Sequence, residues 1–178
     1  MPARWREAAA AELAPLLAGY EAGDLFRSVS GSTAYREWQF AYRLPDPHGA
    51  PPYLFTGRID CILDYGDGRL GIVDYKTDRV AAGDAAAKAK EYTVQMVLYA
   101  LAVEAAGLGS VRDARLHFLR PGVTVTVDLH EAARAAAVSA IASVCRHVRA
   151  HGDESAYPCN TSACRQCGYR VLCPGYKQ

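Results

Sequence analysis

Three charged residues near the middle of the chain, Asp60, Asp74 and Lys76, are spaced so that one hairpin would gather them. Asp60 lies in the run Gly57-Arg58-Ile59-Asp60-Cys61-Ile62-Leu63-Asp64, and Asp74 and Lys76 lie in Leu70-Gly71-Ile72-Val73-Asp74-Tyr75-Lys76-Thr77. Between them, Tyr65-Gly66-Asp67-Gly68-Arg69 supplies the backbone freedom of a tight turn, and the flanking β-formers predict two strands. With the turn centred on Asp67, Tyr65 faces Arg69, Asp64 faces Leu70, Ile62 faces Ile72 and Asp60 faces Asp74. Alternation then puts Asp60, Asp74 and Lys76 on one face and Cys61, Val73 and Tyr75 on the other.

Directly opposed strand residues have Cβ atoms about 4.5–5.5 Å apart, and like charges there are destabilising. A pattern that opposes two aspartates therefore points to a cation between them. Mg²⁺ is held in this way, by one or two carboxylates with its other positions left to water and substrate phosphate. Lys76 would hold a water or a phosphate oxygen beside it. The plain alternative is a surface hairpin whose two aspartates face solvent.

The elements that must carry this hairpin can be read on either side of it. Residues 3 to about 20 place Trp5, Ala9, Leu13, Leu16 and Leu17 at helical spacing, which predicts an amphipathic helix covering one side of a sheet. Asp24, Ser28, Ser30, Gly31 and Ser32 give the next segment the composition of a connector. From Tyr35 to Leu44 the pattern alternates, with Trp38, Phe40 and Tyr42 on one face and Glu37, Gln39 and Arg43 on the other, as in a half-buried strand. After a proline-rich break the hairpin starts near Tyr53, so three successive strands form an antiparallel meander.

Residues 84 to 106 read as one long helix, apolar nearly all round from Tyr92 to Val103 and hence buried. Gln95 is out of place there, because a buried amide without partners costs about 1–3 kcal/mol. It shares a helix face with Tyr99, four residues on. Lys88 and Lys90 begin this helix, within reach of phosphates or simply solvated. Two further strands, Arg115 to Leu119 and Val123 to Leu129, flank Pro121-Gly122, and a last helix runs from Glu131 to about Ala150 with Val138, Ile141, Cys145 and Val148 on its apolar side. The helix between strands is a crossover, expected to be right-handed.

Four of the six cysteines, Cys159, Cys164, Cys167 and Cys173, fall within the last twenty residues. Thiolates at such spacing select zinc or an iron–sulfur cluster, and a chain with no secretory leader favours metal over disulfides. Cys61 and Cys145 read as core residues.

At 178 residues the chain has room for one self-sufficient domain. A formal net charge of +1 announces no polyanion partner, so any electropositive groove must be local. No apolar run reaches bilayer length, which excludes a membrane span and predicts a cytoplasmic protein. No phosphate-binding Gly-x-x-x-x-Gly-Lys loop is present, so this chain is not itself an ATPase.

Gly57-x-x-Asp60, followed fourteen residues after the aspartate by Asp74-Tyr75-Lys76-Thr77, closely resembles the motif of RecB-like members of the PD-(D/E)XK nuclease superfamily. Gln95-x-x-x-Tyr99 is similar to the pair which that family carries on the helix after its hairpin. The resemblance implies an α/β, restriction-endonuclease-like core, a central mixed sheet flanked by helices in the order αβββαβ. It makes residues 1–155 a nuclease domain and residues 156–178 a cysteine-rich metal-binding tail. The implied activity is Mg²⁺- or Mn²⁺-dependent hydrolysis of DNA in repair or recombination. Asp60, Asp74 and the Tyr75 carbonyl would be metal ligands, Lys76 would orient water or neutralise the phosphate, and Gln95 and Tyr99 would position the strand. Glu37 and Thr77 are possible supporting residues.

Cys164-x2-Cys167-x5-Cys173 resembles the cysteine run of iron–sulfur RecB-type nucleases, whose fourth ligand lies far upstream. Here no cysteine precedes Cys61, so Cys159 would complete a [4Fe-4S] or zinc site, or the tail would bind nothing. Many RecB-like nucleases also take a histidine ligand from a helix before the first strand, whereas the first histidine here is His48. The chain looks like the C-terminal nuclease module of an AddA-like or UvrD-like helicase–nuclease, which implies a helicase motor as partner. Two other classes stay open: a catalytically silent DNA-binding scaffold, and a metal-stabilised interaction domain in which the hairpin is incidental.

Overall fold

The computed structural model describes residues 3–46, 49–153, 157, 164 and 167–173. Two compact units divide the chain, residues 1–142 and 143–178, and the boundary falls inside the last helix.

The first unit is organised by a five-stranded sheet in the order β1 to β5: β1 (Thr33–Leu44), β2 (Tyr53–Asp64), β3 (Arg69–Lys76), β4 (Ser110–Phe118) and β5 (Val123–Val127). All neighbours are antiparallel except β3 and β4, which are parallel and joined by the helical crossover. A parallel pair requires such a crossover, and it brings the end of β3 beside the helix that follows. The predicted hairpin register is observed, with Asp64 paired to Leu70, Ile62 to Ile72 and Cys61 to Val73. Gly66, Asp67 and Gly68 take φ of 78°, 54° and 77°, a left-handed run that explains the Gly-Asp-Gly centre.

Both faces of β2 and β3 are covered, so Ile59, Cys61, Ile62, Leu63, Ile72 and Val73 are all buried. On one face Ile62 and Ile72 pack with Met96, Ala100 and Val103 of α4 (Thr93–Ala105). On the other, Cys61, Leu63 and Val73 pack with Leu25 and Val29 of α2 (Asp24–Ser30) and with Tyr20 at the end of α1 (Ala3–Glu21). The result is helices on both sides of a mixed sheet.

Three expectations need correction. The segment read as a connector is helix α2, because Leu25 and Val29 are four apart and anchor one face. The helix read as continuous over 84–106 is broken into a 3₁₀ turn (Ala82–Asp84), α3 (Ala85–Ala89), a second 3₁₀ turn (Lys90–Tyr92) and α4. Helix α1 covers the sheet only near its C-terminal end, since Trp5, Leu13 and Leu17 are exposed.

In the second unit, the end of α5 (Glu131–Ala150) leads to a contact in which the His147 and His151 rings lie 4.3 Å apart and Tyr157 donates to the His151 carbonyl at 2.9 Å. Cys164, Cys167 and Cys173 are half-buried. Among the described residues no group of three or more His, Cys, Asp or Glu gathers as a metal site, and Cys159 lies outside the described residues. The cluster read from cysteine spacing therefore gains no support.

Candidate active site

The site forms where β2 and β3 part. Their last paired residues are Cys61 and Val73, one short of the opposed aspartates. Past that point the Asp60 side chain does the pairing: its Oδ2 accepts the Tyr75 backbone N–H at 2.9 Å. Burial on β2 changes parity at the same place, with Ile59 joining Ile62 on the α4 side while Cys61 faces α2. On the neighbouring strand Glu37 sits between the partners of Ile59 and Cys61 with φ of 55°, an uncommon conformation for a glutamate. Its carboxylate forms an exposed ion pair with Arg58 at 2.7 Å.

Asp74, on the α4 side, is only 3% exposed. Lys76 Nζ lies 2.7 Å from Asp74 Oδ2, but not along a hydrogen-bonding direction, and Oδ2 has no hydrogen-bond partner. Burial pushes the Asp74 carboxyl above the usual carboxylate range; Lys76 opposes this, and the nearby charge of Asp60 adds to it. Lys76 donates to Gln95 Oε1 at 2.9 Å, and Gln95 Nε2 donates to the Tyr99 hydroxyl at 2.7 Å and more weakly toward Asp74 Oδ1 at 3.5 Å. The amide that looked stranded in an apolar helix is thus tied to the hairpin. Burial raises the Tyr99 phenol above its ordinary value, which keeps it a neutral hydrogen-bonding group.

The structure therefore brings together Asp60, Asp74, Lys76, Gln95 and Tyr99, with Tyr75 contributing its backbone while its side chain points away to Tyr20 (hydroxyls 2.7 Å apart). Thr77 is exposed at the end of β3, and its carbonyl accepts from Arg120 Nε at 3.1 Å. The buried Asp74 carboxylate, whose Oδ2 is ion-paired to Lys76 without a hydrogen bond, and the half-buried Asp60 carboxylate form a hard oxygen donor set suited to Mg²⁺ or Mn²⁺. An open cavity of about 560 Å³ at the β4–β5 edge, lined by Arg112, Asp128 and His130 among others, contains none of these residues.

Tyr92 escaped the sequence reading. Its ring centroid is 4.0 Å from Lys76 Nζ, and its hydroxyl donates to both carboxylate oxygens of Asp78 at 3.0 Å. The signal was available, since Tyr92 precedes Gln95 by three and Tyr99 by seven, the spacing of one helix face. The break into a 3₁₀ turn at Lys90–Tyr92 is where this contact forms.

Comparison with known proteins identifies the family. The family model of the PD-(D/E)XK nuclease superfamily matches residues 1–174. The chain belongs to that superfamily. Its relatives include two proteins named as components of an ATP-dependent helicase/nuclease. One, from Desulforudis audaxviator, is 39% identical over 115 residues, 60% of this chain and 9% of the relative. The other, from Pelotomaculum thermopropionicum, is 33% identical over 138 residues, 70% of this chain and 11% of the relative. The chain thus spans about a tenth of the length of these relatives. Among solved structures, the crystal structure of SSO0001 shares the fold, with a TM-score of 0.53 at 17% identity over 98% of this chain and 73% of the other. No helix among the described residues is long and apolar enough to cross a membrane.

Proposed function

We propose that this chain is a Mg²⁺- or Mn²⁺-dependent deoxyribonuclease module that hydrolyses phosphodiester bonds at DNA ends or in single strands. The observation that carries this reading is the buried Asp74 carboxylate, ion-paired to Lys76 and beside Asp60, at the fork of the β2–β3 hairpin. A bound divalent cation lowers the pKa of a coordinated water and stabilises charge on phosphate oxygens. Asp60, Asp74 and the Tyr75 carbonyl would hold it. Lys76, paired with Asp74 and Gln95 in the free protein, would neutralise charge on the phosphate. Gln95 and Tyr99 keep Lys76 and Asp74 in register and offer hydrogen bonds to the strand.

The names of the relatives, which pair a helicase with a nuclease, support a role beside a helicase motor, and DNA repair or recombination is the setting proposed for it. An iron–sulfur or zinc site at Cys159, Cys164, Cys167 and Cys173 rests on cysteine spacing and its resemblance to iron–sulfur relatives, and forms no part of this reading. Incubation with linear and circular, single- and double-stranded DNA in Mg²⁺ or Mn²⁺ tests the proposal. Progressive loss of linear substrate with circles intact supports an end-dependent nuclease. Cutting of double-stranded circles contradicts this reading, cutting of single-stranded circles alone supports attack within single strands, and no cutting of any substrate contradicts the activity.

A further inference from the structure

Just past the strand that carries Lys76, two guanidinium groups converge on one carboxylate. Arg120, between β4 and β5, donates from Nε to the Thr77 carbonyl at 3.1 Å, and the adjacent Leu119 N–H donates to the Lys76 carbonyl at 2.9 Å. The same arginine bonds Glu12 of α1 through Nη2 to Oε1. Arg79 Nη2 lies 3.9 Å from that same oxygen. The Arg79 side chain is 84% exposed and that of Glu12 is 53% exposed.

The Arg120 side chain is 29% exposed and held by the Thr77 carbonyl, whereas the exposed Arg79–Glu12 contact contributes little to stability and leaves Arg79 available to another anion. Guanidinium forks bind phosphate as readily as carboxylate. The Arg120 hydrogen bond and charge, with Arg79 adding to them, hold the Glu12 carboxyl below its usual range and keep it anionic. Glu12 is thus an anion resident in an arginine site one residue beyond Lys76.

We propose that Arg79 and Arg120 bind a backbone phosphate of the nucleic-acid strand that enters the site, and that Glu12 occupies their place in the free protein as a competing anion. The inference rests on the nuclease reading above. It assigns the strand's path beyond the reacting phosphate toward the end of β3 and α1, and it makes α1 a weak brake on binding.

The test is fluorescence anisotropy of the full chain on a labelled single-stranded oligonucleotide, without divalent metal, as salt is varied. Arg79→Ala is expected to weaken binding about three- to tenfold near 0.1 M salt and to flatten the slope of log affinity against log salt by about 0.7 to 1. Glu12→Gln is expected to tighten binding by about two- to fivefold, an effect that loss of a structural ion pair would not produce. Arg120→Ala also releases the Thr77 carbonyl, so Arg79 and Glu12 carry the test. Unchanged affinity and slope in Arg79→Ala, or binding by Glu12→Gln no tighter than wild type, would overturn the site. Displacement of the oligonucleotide by millimolar inorganic phosphate, lost in Arg79→Ala, is expected if both anions use these guanidinium groups, whereas phosphate that binds through Arg79 without loosening the oligonucleotide would overturn the strand assignment. A wild type that binds no DNA overturns the nuclease reading as well, whereas one that binds and cleaves but ignores both substitutions overturns only this site.

Discussion

Asp74 occupies a position that suits its proposed task and opposes the stability of the fold. Its carboxylate is nearly inaccessible, and Lys76 offsets only part of the cost of burying the charge. Because its folded pKa is raised, Asp74 contributes stability that is fully present below its unfolded pKa and is lost as pH rises through the folded value. Asp74→Asn should therefore raise the apo protein's Tm at pH 7. The advantage over wild type should shrink as pH falls toward the carboxylate range, which thermal melts across pH would show, while cleavage is lost throughout. Tyr92 acts differently, because its ring faces the Lys76 ammonium. Removing the ring in Tyr92→Leu should lower kcat about tenfold through loss of a cation–π contact, with KM for DNA little changed. Tyr92→Phe should retain most of the rate, since the ring stays and only the bond to Asp78 goes.

At the scale of elements, the hairpin was legible and its surroundings less so. Alternation and the Gly-Asp-Gly turn specify the register of β2 and β3, because a one-residue slip would send Ile62 and Ile72 to the wrong face. Helix α2 hid behind serines and an aspartate that read as turn formers, since its hold on the core is only Leu25 and Val29. The break before α4 was also hidden, because alanine-rich sequence favours helix throughout and the long-range Tyr92–Asp78 bond leaves no local periodicity. Gly57 shows the reverse, a motif glycine whose reason emerges only from packing. A Cβ there would come within 2.9 Å of the Phe40 ring, and that ring packs edge-on against Tyr99 at 5.7 Å between centroids. Gly57→Ala should cost about 1–3 kcal/mol by overpacking and lower activity by pushing Phe40 against Tyr99. Chemical denaturation and steady-state rates would check the two effects.

For the whole molecule, a net charge of +1 conceals local order. Lys76, Lys88, Arg79 and Arg120 surround the end of β3 and the loop after it, each balanced by a nearby acid: Asp74, Asp78 with Glu91, and Glu12. Composition could not reveal this, because the partners come from α1, β3, the crossover and the β4–β5 turn. The family was legible from Asp60, Asp74, Lys76, Gln95 and Tyr99 because five spaced residues define one sheet–helix corner. Arg79, Arg120 and Glu12 were not, since only the parallel β3–β4 pairing brings Arg120 back to Thr77.

If Asp74 and Lys76 form the reacting centre of a metal-dependent nuclease, both must be needed for the chemistry and neither for the fold. The decisive comparison is cleavage of linear DNA in Mg²⁺ or Mn²⁺ by wild type, Asp74→Ala and Lys76→Ala, each first shown to be folded by circular dichroism. The expected result is cleavage by wild type that chelation abolishes, with loss of at least about 10²–10³-fold in either variant. Undiminished cleavage by a folded Asp74→Ala protein, or metal-independent cleavage by wild type, would contradict that assignment.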